Sequence, residues 1–379
     1  MAETCPKCGR PGVEDGRCRL CGLDIARYQS ALEAFRRGPV VPAPRPGGMP
    51  AGPAAPPWPS RPATVGGQRR TLLFHGSGGA LFGIQIVNLL LVLLTLGIYY
   101  FWAKVRVRAY MASETELEGD RFAYHGTGRE LFLGFLKALA VFFVPIALLQ
   151  ILPEALDAPE PVKALAWLGT YLVVAVVIPL AVVGARRYRL SRTSWRGIRF
   201  SLRGRTFDFV KIFWLGWVLM PLTLGLWYPV WITQRHAFLT RNSWFGSERF
   251  GFDGRGRDLV GPFILMVLLF LPTLGLAWFW FAAYRQRYFW GHTSVGAARF
   301  RSTVPGWAWA WLTCSNVVFL VGSLGLFWPW LIVRNVRFTL RYLGLEGPLD
   351  LSRVRQEAQA ATATGEGLAG FFDIDLGVG

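Results

Sequence analysis

Four cysteines within the first 21 residues carry the clearest chemical signature of this chain. Cys5, Cys8, Cys18 and Cys21 form two CxxC pairs in "CPKCGRPGVEDGRCRLCG", with nine residues between them. A CxxC turn presents two thiolates on one knuckle, and zinc takes four in a tetrahedron. Gly9 and Gly22 follow the second cysteine of each pair. A glycine there permits the tight turn whose amides point at the sulfurs. The spacing predicts a miniature zinc ribbon over residues 1–24. Two disulfides or a redox dithiol would use the same residues, but the N-terminus is expected in the reducing cytosol, where paired cysteines favour metal. About 25 residues build no core unaided, so a structural zinc would be the core. Such a module also offers a surface for a protein partner.

The other groups that could do chemistry are sparse. His75 and His125 open H-G-(S/T)-G turns at helix heads. Such turns suit anions, but Ser77 and Thr127 equally suit the capping of the next helix. No Ser-His-Asp or metal-dyad spacing accompanies them, so an enzyme is not expected. Asn88 and Asn316 are polar residues within apolar runs, where they serve as a polar path or as hydrogen-bond glue between helices. Cys314 reads as a small buried hydrophobe.

Basic residues are the strongest remaining signal. Lys104, Arg106 and Arg108, then Arg186, Arg187 and Arg189, then Arg285 and Arg287, then Arg334 and Arg337 recur just past apolar runs. They fix topology by the positive-inside rule, or they form a belt for anionic lipid head groups. Arginine interleaved with Trp and Tyr is a suitable clamp for phosphate.

The elements that must carry these groups are apolar. The chain is 53% hydrophobic and 17% charged, with net charge +18. High apolarity with Arg-biased charge marks a membrane protein rather than a nucleic-acid binder. Apolar runs near 80–103, 131–152, 163–184, 212–233, 260–283 and 310–333 are each long enough for a hydrocarbon core of about 30 Å. Residues 25–37 read as a short helix, and 38–70 as a Pro/Gly-rich disordered linker. The membrane domain is expected over 71–348, followed by a C-terminal tail over 349–379.

A period organises that domain. Thr223, Thr273 and Ser323 open T/S-L-G triplets 50 residues apart, and Arg199, Arg249 and Arg299 open R-F segments with the same step. An acidic stretch, "LPEALDAPEPVK", occupies the one longer unit. Each R-F segment reads as a short strand and turn, and each triplet as a place where a helix bends or turns back. Identical basic segments on both faces of a membrane would contradict the positive-inside bias. All basic loops and both termini are therefore expected to be cytoplasmic.

The period, "TLGIYYFWAKVRVRAYM", "GDRFAYHGTGRELF" and "GEGLAGFFDIDLG" together resemble the YjgN-like family of bacterial inner-membrane proteins, from about residue 71 onward. The cysteine knuckle and its Pro-rich spacer resemble an N-terminal addition. The resemblance implies an integral inner-membrane protein and carries over no catalytic residue. The fold expected is mainly α: a polytopic membrane helical protein built from about five 50-residue repeats with short β-turn segments. The function expected is a non-enzymatic scaffold or anionic-lipid-interacting protein with a cytoplasmic zinc module. The alternative is a transporter or channel with a polar path near Asn88 and Asn316.

Overall fold

In the computed structural model the described residues are 13–14, 17–18, 70–348 and Val354. The chain divides into two compact units, Met1–Ala63 and Thr64–Gly379. In the first, Val13–Glu14 (β1) pairs antiparallel with Arg17–Cys18 (β2). Cys5, Cys8, Cys21, the Cys18 side chain, the 25–37 helix and the linker up to residue 69 lie outside the described residues, as does all of the tail except Val354.

The second unit alternates short strands with helices. Its strands are Arg70–Phe74 (β3), Thr115–Leu117 (β4), Asp120–Tyr124 (β5), Thr193–Trp195 (β6), Ile198–Leu202 (β7), Ser243–Phe245 (β8), Glu248–Phe252 (β9), Thr293–Val295 (β10), Ala298–Ser302 (β11) and Leu343–Glu346 (β12). They form a closed ten-stranded antiparallel barrel, sealed where β12 pairs with β3. Turn chemistry sets the strand register. Glu118–Gly119 and Arg196–Gly197 both have positive φ, the type I′ pattern, while Gly246 and Gly296 supply the one positive φ of type II′. These turns match the twist of the strands they join.

The R-F dipeptides acquire a meaning here. Phe122, Phe200, Phe250 and Phe300 follow one another around the barrel with ring centroids 6.4 Å apart at each step. With Leu117, Trp195, Phe245 and Val354 they belong to an apolar core. The barrel is therefore a packed core. Arg121, Arg249 and Arg299, one residue before, alternate to the exposed side, as the period of two requires.

Between successive strands rise helical hairpins. They are α1 (Gly78–Leu94) with α2 (Tyr100–Ser113), α6 (Thr206–Leu222) with α7 (Tyr228–Arg241), α8 (Val260–Phe270) with α9 (Ala277–Gly291), and α10 (Gly306–Gly322) with α11 (Trp328–Tyr342). A longer one joins α3 (Gly128–Ala138), a π-helical turn (Leu139–Phe143) and α4 (Val144–Ala155) to α5 (Glu160–Arg192). Neighbouring hairpins pack side by side, and α11 closes the ring against α1. Every hairpin is tied at its foot by the same backbone bond: His75 N to Glu114 O, His125 N to Arg192 O, Arg203 N to Asn242 O, Asp253 N to His292 O, and Thr303 N to Tyr342 O. Both arms thus begin and end at the barrel.

This corrects the expected fold class. The polytopic helical protein of about five 50-residue repeats is overturned by the closed barrel and by helix length. Of the six apolar runs, only those within Gly128–Ala155 and Glu160–Arg192, at 28 and 33 residues, are long and apolar enough to cross a membrane. The other four are each broken by a turn. Their first arms have 17, 17, 11 and 17 residues, and 17 residues span about 25 Å against a hydrocarbon core of about 30 Å. Local sequence shows only β-turn segments because each strand has three to five residues and half of its partners lie beyond a whole helical hairpin. Cys314, expected buried, is exposed.

Candidate functional site

The Thr-Leu-Gly triplets form the tips of the four short hairpins. Thr95 Oγ1 donates to Leu91 O at 2.7 Å and accepts from Tyr99 N at 2.9 Å. Thr223, Thr273 and Ser323 make the same pair of bonds. One hydroxyl thus satisfies the end of the first helix and the start of the second, where both would otherwise leave orphan groups. The glycine closes the turn: Gly97, Gly225, Gly275 and Gly325 have φ of +84 to +92, and their amides reach back five residues.

The middle residue of the triplet is unusual. Leu96, Leu224, Leu274 and Leu324 have φ near +50, a left-handed conformation costing roughly 1–2 kcal/mol for a residue with a Cβ. Each is also 93–95% exposed. Large exposed apolar side chains continue down the first arms, including Leu89, Leu93, Trp217, Val218, Leu268, Val318 and Val321. Apolar residues at strained and fully presented positions point to an apolar environment around the tips.

The second arms carry the basic residues, and the structure divides them by task. Arg187 donates to Leu202 O and Gly204 O, Arg287 to Val304 O, and Arg337 to Gly76 O. These three fasten the connections between strand and helix. Arg108 reaches Tyr124 Oη at 3.5 Å, and Arg189 is also engaged within the fold. Lys104 and Arg106 lie over the rings of Tyr100 and Tyr99, both at 5.5 Å. Arg285 donates to Tyr228 Oη at 3.1 Å, and Arg334 to Asn316 Oδ1 at 3.1 Å. The basic set is therefore not one uniform belt.

Arg186 and Arg285, expected in the basic belt, act on a buried histidine that sequence did not single out as a site. His236 stacks on Phe289 with centroids 4.3 Å apart. The charges of Arg186 and Arg285 act on this buried ring. The Nε atoms of Arg186 and Arg235 and the Nε2 of His236 are buried without a hydrogen-bond partner. Arg235 lies 4.6 Å over Trp231. The signal for this group was available, since Arg235 and Arg285 stand 50 residues apart, but its burial was not.

The remaining candidates have structural partners. Asn88 Nδ2 donates to Ala103 O at 3.4 Å, and Asn316 bonds Asn335 and Arg334. Each asparagine thus links the two arms of its own hairpin. His75 pairs with Glu116 at 2.8 Å, and His125 with Ser194 Oγ at 2.8 Å. Ser77 and Thr127 cap α1 and α3 through the amides of Ala80 and Glu130. No group of three or more His, Cys, Asp or Glu could hold a metal among the described residues.

Two grooves open beside the short hairpins. One, of about 670 Å³, is lined by Leu265, Met266, Leu269, Trp280, Tyr284, Arg287 and neighbours on α8 and α9. The other, of about 440 Å³, lies on α10 and α11 against the first residue of α1. Trp307, Trp311, Trp330, Arg334, Arg337 and Arg341 line it. Trp307, Trp311 and Trp330 were not singled out by sequence, whereas Arg341 belongs to the recurring basic set.

A family profile described as "Bacterial protein of unknown function (DUF898)" matches residues 69–275 and 261–371. The chain is 27% identical over 231 residues to "Inner membrane protein YjgN" of Escherichia coli (strain K12), covering 61% of this chain and 52% of that protein. It is 34% identical over 133 residues to the protein of the same name from Salmonella typhimurium, covering 35% of this chain and 31% of that one. The chain thus spans about half the length, or less, of the curated relatives it matches. No solved structure matches it.

Proposed function

This chain belongs to the DUF898 family of bacterial proteins, and from that premise we propose that it is a non-enzymatic inner-membrane scaffold that engages anionic lipids. The names of its relatives support the location. In this reading α3–α5 is the anchor that crosses the bilayer, and the four short hairpins enter from the same side as the barrel and turn back within the hydrocarbon. The observation that carries it is the set of four tip leucines, strained in backbone and 93–95% exposed. The barrel and its basic rim then stay at the cytoplasmic surface, consistent with the positive-inside bias. The transporter reading has no comparable support, because Asn88 and Asn316 each bond within their own hairpin.

Cysteine labelling tests the arrangement. In a variant lacking the five native cysteines, single cysteines at Ser247 and Ala297, in the turns of β8–β9 and β10–β11, are expected to resist an impermeant reagent added from the periplasmic side. A cysteine at Ala158, in the acidic turn before α5, is expected to react. Periplasmic labelling of Ser247→Cys or Ala297→Cys would overturn the reading.

The N-terminal cysteines complete the proposal as a structural zinc module on a tether. The purified protein is expected to carry about one zinc per chain, lost on Cys8→Ser, with the membrane unit still inserted. Metal analysis giving iron or no metal would remove the zinc assignment and leave the rest standing.

A further inference from the structure

We propose that the 440 Å³ groove on α10 and α11 binds one anionic phospholipid of the surrounding bilayer, an inference that rests on the embedded-hairpin reading above. Its volume lies in the range of small-ligand sites. Its lining holds Arg334, Arg337 and Arg341 and neither Asp nor Glu. The arginines fall at i, i+3 and i+7 of one helix and so share a face. Arg337 is held by Gly76 O at 2.7 Å and Arg334 by Asn316 Oδ1 at 3.1 Å. Each guanidinium has five N–H donors, so both keep donors for a phosphate. Arg341 is exposed and has no hydrogen-bond or ion-pair partner among the described residues.

The apolar wall is equally specific. Trp307 and Trp311, one turn apart on α10, are 65% and 69% exposed. Trp330 approaches the first residue of α1 closely because Gly78 has no Cβ; one built there would come within 2.2 Å of the indole. Three indoles beside three guanidiniums suit a molecule with an anionic head and an apolar body. Exposed Val318 and Val321 continue the apolar surface of α10 beyond the groove, toward the hairpin tip. A lipid already in the bilayer is thus the occupant at hand.

The groove on α8 and α9 provides an internal comparison. Fifty residues earlier, Trp280 and Arg287 stand where the charged groove has Trp330 and Arg337, but Tyr284 and Gly291 replace Arg334 and Arg341. That groove keeps one of the three indoles, is lined otherwise by aliphatic residues such as Leu265, Met266 and Leu269, and loses two of three cations. It is expected to accept acyl chains without selecting for head-group charge.

The test titrates the full chain in neutral detergent with dibrominated phosphatidylglycerol and, separately, dibrominated phosphatidylcholine, following tryptophan quenching. Phosphatidylglycerol is expected to be favoured by at least about fivefold, the contribution of one juxtamembrane basic residue. Arg341→Gln is expected to lose about that factor, and Trp307→Phe with Trp311→Phe to lose most of the selective quenching. Equal titration by the two lipids, or an unchanged preference in Arg341→Gln, would overturn the site. So would equal displacement of the brominated lipid by glycerol 3-phosphate, which would identify a site for a free anion. Labelling at Ser247 and Ala297 in the same variants separates failure of this site from failure of the embedded-hairpin reading.

Discussion

Gly256→Ala should lower the stability of the purified protein by about 3 kcal/mol, the upper range for forcing extra volume into a packed contact. A Cβ at Gly256 would lie 2.6 Å from Val230 Cα, which is backbone of the preceding hairpin. The same contact recurs around the ring with an indole nearest: Trp102 lies against Gly128 and Trp330 against Gly78 through indole atoms, and Trp280 against Gly306 through its indole, with its Cα at 3.0 Å. Each residue sits seven past the Thr or Ser of its tip, and each glycine opens the next hairpin. An indole can rotate away from a new methyl, whereas a backbone Cα moves only with its helix. The clash at Gly256 must therefore shift α7 against the short 3-10 turn Gly256–Leu259. Gly83→Ala is the matched control: it lies within α1 with nothing inside 4 Å, and should leave stability unchanged or raise it by up to about 1 kcal/mol. Thermal melts of the two variants decide the matter. Equal midpoints for Gly256→Ala and the parent would mean that close helix contact is not what joins the hairpins.

These contacts also mark how far sequence reasoning reached. The Gly residues of H-G-S-G and H-G-T-G read as turns and caps, and Ser77 and Thr127 do cap. That the last glycine of each motif, Gly78 or Gly128, receives an indole from the neighbouring hairpin is a tertiary fact with no local trace. The triplet turn was legible because Thr, a flexible Gly and a change from apolar to basic composition coincide within a few residues. The barrel was not, because its strands are joined through bonds such as Phe300 to Leu345, whose place in a closed ring depends on β12 returning to β3. Arginines were legible as a set, but Arg187, Arg287 and Arg337 bind carbonyls of the strand–helix connections. Nothing in their spacing separates them from Arg341, which has no such bond among the described residues.

Replacing Leu96, Leu224, Leu274 and Leu324 together by Asn should destabilise the folded protein in phospholipid bicelles by several kcal/mol. Two effects oppose each other at every tip. Asn tolerates positive φ far better than leucine, so the turn itself gains up to roughly 1–2 kcal/mol per site. Against this, a leucine in hydrocarbon contributes about 1.5–3 kcal/mol over one in water, and a carboxamide placed in hydrocarbon without a partner costs a further several kcal/mol by transfer scales. If the tips lie in lipid, the second pair of terms wins at each of the four sites. If the tips lie in water, only the first survives, and the variant becomes more stable than the parent. The sign of the change therefore reports the medium around the hairpins, without dependence on its exact size. Urea-unfolding midpoints in bicelles supply it, and a higher midpoint in the Asn variant would place the tips in water and end the embedded-hairpin proposal. Replacing the same leucines by Gly relieves the backbone without adding a polar group. That variant should fall between parent and Asn variant if lipid surrounds the tips, because glycine loses the leucine transfer term but buries no carboxamide.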